Sequence, residues 1–162
     1  MSRSPFLIFG ALVVVVAAIG FYAFAKEGSD ESVPVPVEKE DQAAKDAFAT
    51  NCGACHTLAA GGTDGVVGPD LDEILPTQVG PPEGTPEEIA EANETAYDSA
   101  YGRVLSAVTC GRAGRMPAGI LQGTDAQEVA GFVAAYAGQL SEDQGPLIPA
   151  DDRPTPPFNE AC

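Results

Sequence analysis

Cations are scarce in this chain: eight Lys and Arg face 24 Asp and Glu over 162 residues, a formal charge of −16. That excludes nucleic acid as a partner, because phosphate contacts need clustered bases. The acidity suits simple solubility or docking to a basic surface. Tryptophan is absent, methionine occurs twice and histidine once. A lone histidine excludes any metal held by two imidazoles of this chain. Four cysteines are present, but not as the two close pairs that a structural zinc site usually takes. No internal repeat is visible. After the N-terminal segment no run reads as a strand; "GVVG", residues 65–68, is too short.

A long apolar run opens the chain. From Pro5 to Ala25 there is no charge; as a helix it spans about 30 Å, the thickness of a bilayer core. Arg3 precedes it, and Glu27, Asp30 and Glu31 follow. The positive-inside rule then puts everything after residue 26 on the outer face of the cytoplasmic membrane. Residues 1–26 read as a single-pass anchor. Ala23-Phe24-Ala25 also resembles a signal-peptidase site, against which stand the length of the run and the bulk of Phe21, Tyr22 and Phe24. Either reading exports the rest and permits disulfides. Residues 27–39, acidic and broken by Pro34 and Pro36, read as a linker. Residues 40–140 read as the folded domain. Residues 141–162 hold too many prolines for regular structure.

Within the domain the pattern is helical. Asp41 is placed to cap a helix whose Ala43, Ala44, Ala47 and Phe48 share a face. Leu71 to Leu75 suits one short turn. Thr85, Pro86 and Glu88 spell a capping box with proline at the first helical position. Tyr101, Val104, Leu105 and Val108 then form a stripe that Gly111 can end. Thr124 and Gln127 spell a second box, ahead of a helix with Val129, Phe132, Val133 and Tyr136 on one face and Gly138 as its stop.

The chemistry concentrates in "NCGACHTL", residues 51–58, which contains the lone histidine. Two thiols three positions apart can each add to one vinyl group of a haem, and the adjacent imidazole then lies beneath the iron. Cys52, Cys55 and His56 form that attachment signature. A redox dithiol would expect a βαβ setting, which is not visible. A disulfide between Cys52 and Cys55 would leave His56 without a role. Bis-histidine ligation is impossible within this chain, so a sixth ligand points to Met116, in the Gly/Pro loop "GRMPAG", rather than to Met1. Filling a gap in the core is the plainer role for a methionine, but it is less natural on a Gly/Pro-rich loop between two helices. His56 and Met116 together would close both iron faces, suiting electron transfer rather than bond chemistry at the metal.

These residues resemble the class I monohaem cytochrome c family over roughly residues 40 to 138, through "CGACH", "GPDL", "GRMPAG" and "VAAYAG". The resemblance implies an all-α, cytochrome c-like domain around one covalent haem c, here preceded by one transmembrane helix. It implies that Pro69 offers its carbonyl to His56 Nδ1–H. It also implies a crossing of first and last helices at Phe48 and Tyr136, with Ala44 where glycine is usual and Gly131 supplying clearance. Tyr97, Tyr101 and Arg103 are candidates for the haem propionates. The acidic insertion between Pro76 and Asp98 departs from the minimal pattern. So do Cys110 and Cys162, an even remainder that favours a disulfide between them or between subunits.

The function expected is that of a membrane-tethered, non-enzymatic carrier of single electrons between respiratory or photosynthetic complexes. Its partners would be membrane-bound donor and acceptor complexes, with Lys45, Arg103, Arg112 and Arg115 as a basic patch. The alternative is a fixed haem subunit of an oxidase or dehydrogenase. A haem sensor or peroxidase would require Met116 to leave the iron.

Overall fold

The computed structural model describes residues 14–15, 35–75 and 84–154. The chain divides into two compact units, Met1–Ser32 and Val33–Cys162. In the first, only Val14 and Val15 are described, both helical and exposed. The second holds the elements α1 (Gln42–Asn51), β1 (Thr57–Leu58), β2 (Thr63–Asp64), α2 (Leu71–Ile74), α3 (Pro86–Cys110) and α4 (Gly123–Tyr136). Single 3-10 turns occupy Lys39–Asp41 and Ala150–Asp152.

α3 is one continuous helix of 25 residues. Its start forms the capping box foreseen: Glu88 N–H donates to Thr85 Oγ1 at 3.3 Å and Thr85 N–H to Glu88 Oε2 at 2.8 Å. Those bonds hold the Glu88 carboxyl below its ordinary pKa. The stripe Tyr101, Val104, Leu105 and Val108 is buried, along with Tyr97 and Ala100. Gly111, at φ 71°, follows as the C-cap. The second capping box does not form. α4 begins at Gly123 with no side-chain cap, Gln122 preceding it in extended conformation; the loop sets this helix's entry, not the Thr124 hydroxyl.

α4 is the centre of the core. From Val129 to Ala137 every residue is buried, because α1 and α3 both pack on it. Phe48 of α1 meets Phe132 at 6.1 Å between ring centroids, tilted 56°, so its aromatic partner is Phe132 and not Tyr136. Gly131 makes room for Tyr97: a Cβ there would lie 3.1 Å from the Tyr97 hydroxyl, and nothing of α1 comes as near.

Tyr136 serves a different purpose. Its hydroxyl donates to Asp41 Oδ2 at 3.0 Å and accepts from Glu38 N–H at 2.9 Å. Burial pushes its phenol up to about 12, so it stays a neutral donor. Arg153 closes the group with two bonds to Asp41, at 2.6 and 2.7 Å, its guanidinium 5.9 Å from the Tyr136 ring centroid. Asp41 therefore makes no side-chain cap for α1. Val35, within the stretch read as linker, is buried, as is Leu147 within the stretch read as tail. Leu147 N–H donates to Ala135 O at 2.8 Å and Ala150 N–H to Glu38 Oε2 at 2.9 Å. Of these flanks, the described residues 35–39 and 141–154 pack as part of the folded unit.

The expected fold, all-α around one covalent haem behind a transmembrane helix, needs correction. β1 and β2 pair antiparallel, Thr57 opposite Asp64 and Leu58 opposite Thr63. They were illegible because two-residue strands have no period and depend on a side chain: Thr63 Oγ1 accepts from Leu58 N–H and donates to His56 O. The interior at the helix crossing is filled by Phe48, Phe132, Tyr136, Val129 and Val133. Among the described residues no three or more of His, Cys, Asp and Glu gather to hold a metal ion.

Nor, among the described residues, is any helix long and apolar enough to cross a membrane. α3 has the length but carries Glu87, Glu88, Glu91, Glu94, Asp98 and Arg103. The single-pass placement, with a domain held at the outer face of the cytoplasmic membrane, is corrected accordingly. The anchor read over 1–26 lies outside the described residues, apart from Val14 and Val15.

Candidate cofactor site

The last turn of α1 delivers the cysteine motif. Cys52 is its C-cap, with its N–H on Phe48 O at 2.8 Å. Cys55 and His56 then both donate to Cys52 O, at 3.0 and 2.9 Å. This tight turn keeps two thiols and an imidazole within five residues. Both thiols are free; Cys52 is buried and Cys55 exposed. Burial, with a smaller contribution from Cys55, pushes the Cys52 thiol up to about 11. A redox dithiol is activated by the opposite shift, so this environment does not suit one.

A second segment, 65–69, lies against the motif. Gly68 N–H donates to Cys55 O at 2.7 Å and Thr57 Oγ1 to Gly65 O at 3.1 Å. Gly68 rests directly on the imidazole: a Cβ there would lie 2.5 Å from Cε1, 2.7 Å from Nδ1 and 2.9 Å from Nε2 of His56. Only glycine permits that approach. Pro69 O lies 2.8 Å from His56 Nδ1. A carbonyl only accepts, so Nδ1 carries the hydrogen and Nε2 keeps its lone pair for a ligand.

Asp72 fastens this region to the core. Its carboxylate accepts from Ala59 N–H at 2.7 Å and from Gly138 N–H at 2.9 Å, tying the ribbon to the end of α4. Burial raises its pKa despite both bonds. The folded chain then binds a proton here more readily than the unfolded chain. The contribution of this group to stability is therefore largest below the ordinary carboxylate range and falls as pH rises through its folded pKa. Asp72→Ala strands two amides, and we expect a loss of about 2 kcal/mol in urea unfolding at neutral pH. In Asp72→Asn that pH slope should vanish. Composition hid this role, since "GPDLDE" reads as an ordinary acidic loop.

Met116 is carried by a separate loop. Its backbone exchanges two bonds of 2.9 Å with Arg112, and Gly119 and Ile120 tie the loop to Thr109 and Val108. Met116 is half-buried and packs against the same core that includes Cys52. Hydrogen bonds bring Cys52, Cys55, His56 and Pro69 together; Met116 is hydrogen-bonded to Arg112 and not to them. Cys110 is disulfide-bonded; Cys162 lies outside the described residues.

Tyr97 and Tyr101 stack at 6.0 Å. They line a cleft of about 350 Å³ with Asp41 and Arg153. Arg103 bonds Ile74 O at 3.2 Å. Arg112 reaches Ser106 Oγ and Arg103 O, so these two arginines are neighbours.

The donor set suits a covalent haem: two unpaired thiols, an imidazole with a fixed tautomer and a soft thioether. No family model, curated protein or solved structure matches this chain.

Proposed function

We propose that this chain is an electron-transfer protein similar to the class I monohaem cytochromes c, passing single electrons between a donor and an acceptor protein. Cys52 and Cys55 would hold one haem c through thioether bonds. His56 would supply the proximal nitrogen and Met116 the distal sulfur. The observation that carries the reading is the His56–Pro69 pair. A half-buried histidine with no ligand to bind needs neither a fixed tautomer nor a glycine backbone laid on its ring. Here both are built, on the residue that directly follows a Cys-x-x-Cys. Bound there, the haem would supply one-electron redox chemistry, held by Cys52, Cys55, His56 and Met116. The chain's own part is to fix Nε2 through the Pro69 carbonyl, to raise ligand basicity by that bond, and to hold the thioether on a hydrogen-bonded loop.

The test is expression with a cytochrome c maturation system, followed by a denaturing gel stained for haem and by intact mass. The native chain should keep its colour through denaturation and gain the mass of one haem. The double variant Cys52→Ala, Cys55→Ala should keep neither. Met116→Ala should remain covalently loaded but lose the weak red charge-transfer band of His/Met iron. A colourless native chain with two free thiols would overturn the proposal.

A further inference from the structure

Beside His56 the chain presents two large apolar side chains to water. Val66 and Val67 are 90% and 81% exposed. Single exposed apolar residues are ordinary on protein surfaces. This pair differs in being adjacent and held at both ends. Gly65 packs so closely that a Cβ would lie 2.5 Å from Cys55 C, and its carbonyl accepts from Thr57 Oγ1. On the other side, Gly68 donates to Cys55 O and lies on the His56 ring. The tip is anchored to the attachment motif itself.

Its flanks in the sequence carry one sign of charge. Asp64 and Asp70 flank it, and no Lys or Arg occurs from residue 46 to residue 102, a stretch with 11 Asp and Glu. Arg103 reaches the neighbouring α2 through its bond to Ile74 O, the end of α2 farther from the tip in sequence.

We infer that Val66 and Val67 form the contact through which this chain docks to its electron partner, and that the partner presents an apolar hollow rimmed by Lys or Arg. The inference rests on the reading of Cys52, Cys55 and His56 as a haem site. An apolar tip loses water on contact and excludes it from the gap that the electron must cross. Its small size keeps the complex short-lived, as turnover requires. The acidic flanks steer a cationic partner and reject an anionic one. The exchange moves one electron, oxidising the reduced carrier and reducing the partner, with no bond made and no proton moved.

The probe is tris(phenanthroline)cobalt(III), a cationic one-electron oxidant with an apolar rim, mixed with the reduced holoprotein in stopped flow. Hexacyanoferrate(III) is the anionic comparison. Val66→Asn with Val67→Asn should slow the cobalt reaction about fivefold and leave the hexacyanoferrate rate within about twofold. Asp64→Asn should flatten the fall of the cobalt rate with salt. Equal slowing of both oxidants, or of neither, would overturn the inference. A second readout needs no electron transfer: amide shifts on titration with redox-inert tris(phenanthroline)ruthenium(II). Shifts gathered on 64–70 support the tip; shifts centred on Glu87 to Glu94, or none, overturn it. A chain without covalent haem, seen beforehand on the stained gel, is a failure of the electron-carrier reading. The ruthenium titration then still decides whether the tip binds a cationic apolar surface.

Discussion

Asp41→Ala is expected to destabilise the folded chain by about 3–5 kcal/mol, the largest effect of any single substitution considered. Asp41 and Arg153 are side chains only 8% and 11% exposed, joined by two short parallel bonds. Removing the carboxylate leaves a guanidinium in a poorly hydrated place, and it strips the Tyr136 hydroxyl of its acceptor. It also loosens a connection between residues 112 positions apart, which closes the N- and C-terminal flanks over α4. Urea unfolding of the two single variants and of Asp41→Leu with Arg153→Met tests the cause. A buried pair replaced by apolar groups of similar volume is often close to neutral. The double variant should therefore recover more than half of the loss, short of all because Tyr136 still lacks its partner. A cost below about 1 kcal/mol for Asp41→Ala would mean that the pair behaves like a surface ion pair, and the clasp would lose its significance.

The second large effect is expected at Gly68. One methyl group there falls within 3 Å of three imidazole atoms, so the ring or the 65–69 segment must move. Overpacking of this kind costs about 1–3 kcal/mol, and Gly68→Ala should fall in that range by thermal unfolding. The more telling readout is the imidazole. Displacing the ring breaks the 2.8 Å contact of Nδ1 with Pro69 O, which releases the tautomer. By nitrogen NMR of the apo chain, the two ring nitrogens should pass from one dominant tautomer to a mixture. On the proposed haem reading, the yield of covalent haem should also drop severalfold, because the imidazole beside the two thiols is displaced. A Gly65→Ala control separates the effects: it crowds the Cys55 and His56 backbone and not the ring, so it should lower stability without releasing the tautomer. If Gly68→Ala left the ring signals unchanged, the glycine would be a loop feature and not a support for His56.

How much of this was legible beforehand depended on whether the cause was local. The α3 start was read correctly because a capping box is closed by two residues three positions apart. The buried stripe Tyr101 to Val108 was read because helical periodicity carries burial in the sequence itself. Thr124 and Gln127 spell the same box, yet no cap forms there, since the preceding loop imposes its own entry angle. Phe48 was rightly placed in the core, but its aromatic partner lies on α4 at position 132, and which rings meet depends on a crossing angle that no spacing reveals. Gly131 shows the same limit: the clearance was visible, but not that Tyr97 fills it. The membrane span was inferred from apolar composition, whereas a span requires a helix both long and uncharged, which none of the described helices is.

By itself, the order of residues determined the chemistry on offer: one imidazole, a pair of thiols three positions apart, one thioether after the anchor-like segment and a strongly negative charge. These are properties of composition and short spacing, which folding cannot alter. Tertiary structure alone decided what that chemistry faces. It laid Gly68 on the His56 ring, gave Nδ1 to Pro69, spent Asp72 on two distant amides and drew Arg153 back onto Asp41. Each of these joins groups far apart in the chain. Their worth comes from burial and exact distance, which exist only once the helices have packed.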